Sequence, residues 1–497
     1  MQIKKFRLPF YLLATLLLTY CTTAADAAVG DGYNIKLKVR NGVKDTTCLL
    51  AYHYGNQIFV EDTFRVDSKG LAVFSGKEAL AGGIYLAVLP GTKYFEFLVN
   101  DGEQHFSMEV DTSDFVNTLK INGSPSNTLF NEYQRFLSPR QSKLNKLSKE
   151  LTPADSSKLD SLARKAILDK MKPLEEEIKE YRIRILKEQP KSFLAAIFRT
   201  MKEPETPEAP KGKDGKPLDP DFGYKYYKGH FWDNVDFSDS RLVKTPLLYN
   251  KINYYLDKLV YKVPDSINFA TDFIIEKARA NKDVFKYALG TITHLYETSK
   301  IMGMDAIFVH LVEKYYLTGQ ATWMDEERMK KVRDRYEKLR HTLIGNKAPD
   351  IKVYDVMTNQ PQNLSAIKAD YTILLFWSHN CGHCKKSMPK YIEFYNANKS
   401  KGVEMFSVST EVEADKIQEY LKENPQPWTT YYEPTNQSRF RELYDIYSTP
   451  VVYLLDKDKK VKAKRIDVEQ LQKVLDAIRQ GDEHAGGKVI EKENHDD

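Results

Sequence analysis

One stretch decides the fold of the C-terminal part of the chain: Tyr371-Thr-Ile-Leu-Leu-Phe-Trp377-Ser-His-Asn-Cys381-Gly-His-Cys384-Lys-Lys-Ser-Met-Pro389. Its first seven residues are apolar, β-branched or aromatic, which predicts a buried strand, and the polar residues that follow predict a turn. Two cysteines then open a lysine-rich segment that predicts a helix. The sequence therefore places a Cys-x-x-Cys motif between a buried strand and a helix.

This placement suits thiol–disulfide exchange. Unpaired backbone N–H groups and the helix dipole favour an anion at Cys381, so its thiolate is stabilised. Cys384 follows one turn later, close enough to resolve a mixed disulfide. The alternatives are half of a zinc site or an inert pair. Because Cys21 and Cys48 each stand alone and supply no second ligand pair, we expect a redox site and no metal.

Residues 345–480 resemble the thioredoxin fold, specifically the TlpA/ResA-like thiol–disulfide oxidoreductases of the bacterial cell envelope. Ala348-Pro349-Asp350 opens the match, and Pro389 follows the second cysteine where that family's first helix kinks. Thr449-Pro450, before an apolar strand, matches the family's cis-proline, which faces the active-site disulfide. The resemblance implies a redox-active Cys381–Cys384 disulfide as the only redox group, without a cofactor, and tuning of that pair by Trp377, Gly382, His383, Thr449 and Pro450.

The sequence departs from this family at one functional position. The family commonly has Cys-x-x-Cys-x-x-Glu-x-Pro, with the glutamate exchanging protons near the thiols, but here Ser387 replaces the acid. A serine hydroxyl does not titrate near neutral pH, so the deprotonation of Cys384 needs another base. Histidine titrates in the required range. The candidates are His383, His379, bulk water and the more distant Glu411.

Residues 1–28 predict a signal peptide, because a basic start, a short apolar segment and small residues follow one another. Cleavage is expected after Ala27 or Ala28. Lipidation at Cys21 is the less favoured alternative, because Tyr20 stands where a lipobox needs a small residue. No later stretch approaches about 18 apolar residues, so we expect no transmembrane segment in the mature chain. The predicted location is the periplasm or cell envelope.

Two further domains are expected upstream. Residues 29–124 predict a β-sandwich of short antiparallel strands, with Cys48 buried in one of them. Residues 125–344 predict an α-helical domain with a flexible charged loop at 202–220. Both resemble domains that accompany thioredoxin modules in envelope proteins, and the helical one has no known function. The fold class is thus multi-domain: β-sandwich, helical domain, α/β thioredoxin-like domain, and a disordered tail at 481–497.

Within the helical domain the sequence predicts several specific features. One continuous helix is expected over 305–317. Ser266 and Asp325 are expected to cap the helices that follow them, because their side chains suit N-cap positions.

Composition and motifs together limit the function. A net charge of +5 over 497 residues gives no reason to expect a nucleic-acid partner. The resemblance implies a reductase of protein disulfides, recharged by a membrane-embedded thiol donor, although the Gly-His dipeptide leaves the redox direction open. One alternative is a non-catalytic binding or adaptor protein with a degenerate thioredoxin domain. A thiol peroxidase is disfavoured, because Leu374 and Ser378 replace the proline and threonine of its Pro-x3-Thr-x2-Cys pattern. The upstream domains are expected to select partners and to do no chemistry.

Overall fold

The computed structural model describes residues 32–41, 43–151 and 160–481. The predicted signal peptide and residues 482–497 of the predicted tail lie outside the described residues.

The N-terminal region is a β-sandwich, as predicted. Two four-stranded sheets, ordered β4-β1-β7-β8 and β3-β2-β5-β6, enclose one apolar core that includes Cys48. A short helix, α1 (Phe115–Thr118), precedes the last strand. The strands are β1 (Tyr33–Arg40), β2 (Thr46–Tyr54), β3 (Gln57–Val66), β4 (Leu71–Gly76), β5 (Gly83–Leu89), β6 (Lys93–Val99), β7 (His105–Asp111) and β8 (Lys120–Asn122).

The expectation of a purely antiparallel sandwich was wrong for one pair. Strands β1 and β7 run parallel, with Ile35 opposite Phe106 and Leu37 opposite Met108. Apolar alternation tells which face of a strand is buried, but it carries no information on the direction of the neighbouring strand.

The middle region is helical, as predicted. A second core holds α6 to α10 together, and α2 packs against α3. The predicted charged loop contains no helix, and an isolated bridge joins Lys211 to Pro217 within it. The helices are α2 (Pro125–Leu151), α3 (Ser161–Glu188), α4 (Phe193–Met201), α5 (Phe222–His230), α6 (Pro246–Lys258), α7 (Pro264–Ala278), α8 (Lys282–Glu297), α9 (Asp305–Leu311) and α10 (Glu326–Arg340).

Three details of the helical region can be compared with the sequence. Asp325 caps α10, because its carboxylate accepts the N–H of Arg328 at 2.7 Å, which confirms one prediction. Ser266 is not a cap: α7 begins earlier, at Pro264, since proline suits the first turn of a helix. The single helix predicted over 305–317 is instead α9 followed by a π-helical turn, Val312–Tyr316.

The C-terminal region is an α/β thioredoxin-like fold around a seven-stranded sheet, ordered β10-β9-β13-β12-β11-β14-β15. Central strand β11 runs parallel to β12 and antiparallel to β14. The strands are β9 (Lys352–Asp355), β10 (Pro361–Asn363), β11 (Tyr371–Trp377), β12 (Val403–Ser409), β13 (Thr430–Tyr432), β14 (Val451–Asp456) and β15 (Val461–Lys464). The helices are α11 (Gly382–Asn398), α12 (Ala414–Glu423), α13 (Phe440–Leu443) and α14 (Val468–Arg479).

Burial of β11 on both faces explains its apolar sequence. Ile373, Leu375 and Trp377 face one core, whereas Leu374 and Phe376 face the other. A strand covered on both faces shows a continuous apolar run rather than alternation. The polar residues that follow Trp377 end this buried strand, and the Cys-x-x-Cys motif begins there.

Candidate active site

Cys381 occupies the N-cap position of α11. Its Sγ accepts the backbone N–H of Cys384 at 3.3 Å, so the sulfur satisfies one of the free donors of the first turn. The side chain is partly exposed. The sequence placed this cysteine at the start of the helix, and the structure confirms that placement.

The surroundings of Cys381 favour its thiolate. Burial acts to raise its pKa, but hydrogen bonds outweigh burial and lower it; they come from the side chains of Cys384 and Thr449 and from the backbones of Cys384 and His383. When protonated, the Cys381 thiol lies 3.2 Å from the Thr449 carbonyl oxygen, to which it can donate. A lowered pKa together with partial exposure is the environment of a reactive thiol.

Cys384 has the opposite character. Its side chain is 1% exposed and belongs to the core that contains Trp377, Met388 and Tyr391. Burial, followed by the hydrogen bond with the Cys381 side chain, raises the pKa of Cys384 to about 11. One thiol of the pair is therefore accessible and acidic, and its neighbour is buried and stays protonated at neutral pH.

Thr449 faces Cys381, and the Thr449–Pro450 peptide bond is cis, as the resemblance implied. Pro450 immediately precedes β14, the antiparallel neighbour of β11. The loop before β14 therefore meets the carboxyl end of β11, where the motif lies. This arrangement brings Thr449 into contact with Cys381.

Two grooves flank this contact. One, of about 340 Å³, is lined by Cys381 and Thr449 together with Glu411, Arg441 and Tyr447. The other, of about 510 Å³, lies beside Pro450, and its lining includes His383 and the charged side chains of Lys386, Lys390, Arg465, Asp467 and Glu469. Cys381 opens into the first of these grooves and not into the second.

The predicted tuning residues differ in what the structure shows for them. Trp377 is 1% exposed, and its indole N–H donates to the Ser407 hydroxyl at 2.9 Å, which fixes the end of β11. His383 is exposed and contributes its backbone N–H to Cys381. At Gly382 a Cβ atom would meet nothing within 4 Å, so a larger side chain would cause no steric clash at this position.

Ser387, at the position of the family's acid, is turned to its own helix. Its hydroxyl donates to the carbonyl oxygens of His383 at 2.9 Å and Cys384 at 3.3 Å. Such bonds to the preceding turn are common for serine within helices. Ser387 therefore presents no titrating group to the thiols.

A carboxylate reaches the site from another strand. Glu411, two residues after β12, accepts a hydrogen bond from the Ser378 hydroxyl and lines the groove that contains Cys381. Sequence reasoning named Glu411 only as a distant alternative. A stronger indication was available in the largely apolar, partly β-branched run that forms β12, because the carboxyl ends of neighbouring parallel strands meet at one edge of a sheet.

The two histidines have different surroundings. His379 Nδ1 is buried without a hydrogen-bond partner, and its ring centroid lies 5.9 Å from that of Tyr420, whereas the His383 side chain is exposed.

In the described part of the chain, no cluster of three or more His, Cys, Asp or Glu residues could hold a metal ion. No helix within residues 32–41, 43–151 and 160–481 is both long and apolar enough to span a bilayer.

Three family models match the chain in the order of its three structural regions. Residues 33–130 match a domain of unknown function, DUF4369, and residues 170–342 match a second one, DUF5106. Residues 344–464 match the AhpC/TSA family.

Curated relatives match the C-terminal part of the chain. Thiol-disulfide oxidoreductase ResA of Bacillus cereus is 28% identical over 137 residues, which cover 28% of this chain and 77% of that protein. Sporulation thiol-disulfide oxidoreductase A of Bacillus subtilis is 26% identical over 102 residues, covering 20% of this chain and 61% of the relative. Among solved structures, a domain of a possible thiol-disulfide isomerase from Cytophaga hutchinsonii is 34% identical, with a TM-score of 0.27, covering 28% of this chain and 95% of that domain. Residues 344–464 therefore form a thioredoxin-fold domain of the AhpC/TSA family, and the curated relatives that match this domain include ResA-like thiol–disulfide oxidoreductases.

Proposed function

We propose that this protein reduces disulfides of other proteins in the cell envelope, with Cys381 as the nucleophile and Cys384 as the resolving thiol. The observation that carries this assignment is the asymmetry of the pair: the partly exposed thiol has the lowered pKa, and the buried thiol has the raised one. Thiolate character and access together determine which cysteine attacks a disulfide. The Cys381–Cys384 couple needs no further cofactor.

The reaction proceeds in two exchanges. The Cys381 thiolate attacks one sulfur of a substrate disulfide, forming a mixed disulfide and releasing the other substrate sulfur as a thiolate. Cys384 then loses its proton and attacks Cys381 Sγ, which releases the second substrate thiolate and leaves the Cys381–Cys384 disulfide. The substrate gains two electrons and the cysteine pair loses them, so a thiol donor must return two electrons in each cycle.

The resolving step requires a base, because Cys384 has a pKa of about 11. His383 and His379 are local candidates, and Glu411 reaches the same groove through Ser378. We favour a histidine, whose ionisation would appear in the pH dependence of turnover. Turnover of His383→Ala, His379→Ala and Glu411→Gln, measured from pH 5 to 9, separates the candidates. A profile moved only by Glu411→Gln transfers the role to the carboxylate.

Export supplies the context for this chemistry. The basic and apolar start of the sequence supports secretion into an oxidising compartment, where reduction needs a dedicated donor. We propose a membrane-embedded thiol donor that reduces the Cys381–Cys384 disulfide. To test this donor, the oxidised protein is mixed either with untreated membrane vesicles or with vesicles whose thiols have been alkylated, and the rate of its reduction is measured. Equal rates with the two kinds of vesicle would contradict the proposal.

A trapping experiment in the full-length protein tests the roles of the two cysteines. Cys384→Ser should accumulate mixed disulfides with envelope proteins, because the second exchange is blocked. Cys381→Ser should trap none, and Cys48→Ser, which changes a buried thiol outside the site, should behave as wild type. Equal trapping by Cys381→Ser would refute the assignment. Rapid consumption of peroxide without a disulfide substrate would instead support the peroxidase alternative.

A further inference from the structure

The helical domain contacts the thioredoxin-like domain at the loop that leads to the active site. Arg335, on α10, directs Nη1 to Asp445 Oδ2 at a distance of 2.7 Å. The Asp445 side chain is only 5% exposed. Four residues further along this loop is Thr449, whose carbonyl oxygen lies 3.2 Å from Cys381 Sγ. A short length of chain therefore connects an interdomain ion pair to the nucleophilic sulfur.

Asp445 is held from a second side by Arg465. Arg465 Nη2 donates to Asp445 Oδ2 and to the Asp445 carbonyl oxygen, both at 2.6 Å. The backbone of Asp445 has a φ of 50°, a left-handed conformation that is costly for a residue with a Cβ and persists where its surroundings enforce it. The two guanidinium groups supply that enforcement, since both bond the same buried carboxylate.

The same region carries a second interdomain contact. Lys464, the neighbour of Arg465, has a side chain that is 6% exposed and pairs with the carboxylate of Asp305. Its Nζ also donates to the Thr342 carbonyl oxygen at 2.8 Å. Lys464, the last residue of β15, thus joins the helical domain to the sheet that carries the redox site. The position of α10 relative to Asp445 is therefore fixed.

We propose that Arg335 is a positioning residue for the thiol exchange, and that the helical domain supports the redox site through it. The pair with Asp445 holds the loop in the conformation that sets Thr449 against Cys381. This inference rests on the proposed function for its kinetic consequence, but its effect on the Cys381 thiol requires no substrate. It gives a role to a region whose family match states no function.

The expected consequence follows from the contacts that would be lost. Arg335→Gln removes one charge-assisted hydrogen bond from Asp445 and leaves the bonds from Arg465, so the chain should still fold while the loop relaxes. The Thr449 side chain is one of the groups that lower the pKa of Cys381. Displacement of the loop should therefore raise the pH at which Cys381 becomes reactive and slow its attack.

The test compares full-length variants in two assays. Arg335→Gln should raise the pH midpoint of Cys381 alkylation and lower kcat/KM for a model disulfide by roughly tenfold; Arg335→Lys, which keeps the charge, should recover part of both. Arg328→Gln is the matched control, because Arg328 lies on the same helix and its ion pair with Asp325, at 3.1 Å, stays within that helix. In an Asp445→Asn background, Arg335→Gln should add little, because the two residues act through one contact.

Several outcomes would overturn the proposal. The proposal fails if folded Arg335→Gln keeps both the wild-type pH midpoint of Cys381 alkylation and the wild-type kcat/KM. A loss of thermal stability alone would not save it, because the contact would then be merely structural. Full additivity with Asp445→Asn would also contradict it. Absence of disulfide turnover in the wild type would count against the proposed function instead, and the alkylation midpoint would still decide the role of Arg335.

Discussion

The separation of the two thiol pKa values gives the sharpest prediction. Cys384 has a pKa of about 11 against an ordinary value of 9.0, whereas the pKa of Cys381 is lowered. At pH 7 a thiol with a pKa of about 11 is ionised to roughly one part in ten thousand, about a hundredfold less than a thiol at 9.0. In the reduced protein, Cys384 should therefore alkylate at least about a hundredfold more slowly than an ordinary thiol, and Cys381 should react first.

Alkylation with iodoacetamide, followed peptide by peptide with mass spectrometry, measures both rates over pH 6–11. The rate at Cys384 should rise about tenfold for each pH unit until close to pH 11. Cys48 provides an internal control, because burial raises its pKa also to about 11 and it is a free cysteine within the described residues. A midpoint near 9 for Cys384, or identical profiles for Cys381 and Cys384, would refute the reasoning.

The causes of the Cys384 shift can be separated with one substitution. Burial contributes most, and the contact with the Cys381 side chain contributes next. In Cys381→Ser the pKa of Cys384 should fall part of the way towards 9.0, because the thiol contact is lost while burial remains. The Cys48 profile should not move. An unchanged Cys384 midpoint in this variant would mean that the two thiols are not coupled.

Three further predictions concern other parts of the chain. Trp377→Phe should destabilise the fold by about 1–3 kcal/mol in denaturant unfolding, because the buried Ser407 hydroxyl loses its indole partner; unchanged stability would show that this bond contributes nothing. The intact mass of the mature protein should correspond to cleavage after Ala27 or Ala28, and an acylated N-terminal cysteine would contradict this. A fragment that begins at Gly345 should still reduce a small disulfide, because the groups that contact the thiols follow that residue. It should do so more slowly than the full chain, because it lacks Arg335. Complete loss of activity in the folded fragment would mean that the upstream domains build the site itself.

The same thiol shifts make a prediction about stability. The folded-state pKa of Cys384 exceeds its ordinary value, so the folded state holds the Cys384 proton more tightly than the unfolded state does. The contribution of this proton to the free energy of unfolding is fully present below pH 9 and is lost as pH rises from about 9 to 11. The two pH units correspond to about 2.7 kcal/mol. Reduced wild type should lose more stability over this interval than Cys384→Ser, as urea unfolding at pH 8 and pH 11 would show. Equal losses would contradict burial as the main cause of the shift.

Local sequence predicted the parts of the site that depend on local physics. The run 371–377 was identified to the residue as a buried strand, since it is apolar on both faces, and the helix after Cys381 followed from the motif. The short strands β9, β10 and β13 were missed, because three or four residues of mixed polarity give no periodicity to detect. The parallel pairing of β1 with β7 was missed for a related reason, since pairing direction is set by distant parts of the chain.

The contacts that join the domains were outside the reach of sequence reasoning. Nothing in the local sequence distinguishes Lys464 and Arg335 from other charged residues, yet the Lys464 side chain is 6% exposed and Arg335 bonds a buried carboxylate. A charge is buried in this way only with a partner, and the partners come from segments more than a hundred residues away. Burial of paired charges beside the active-site loop stabilises the folded state little compared with apolar contacts. We therefore infer that these pairs act by fixing geometry, namely the approach of Thr449 to Cys381. On this proposal the helical domain and the redox site work as one functional unit, which the Arg335→Gln variant tests.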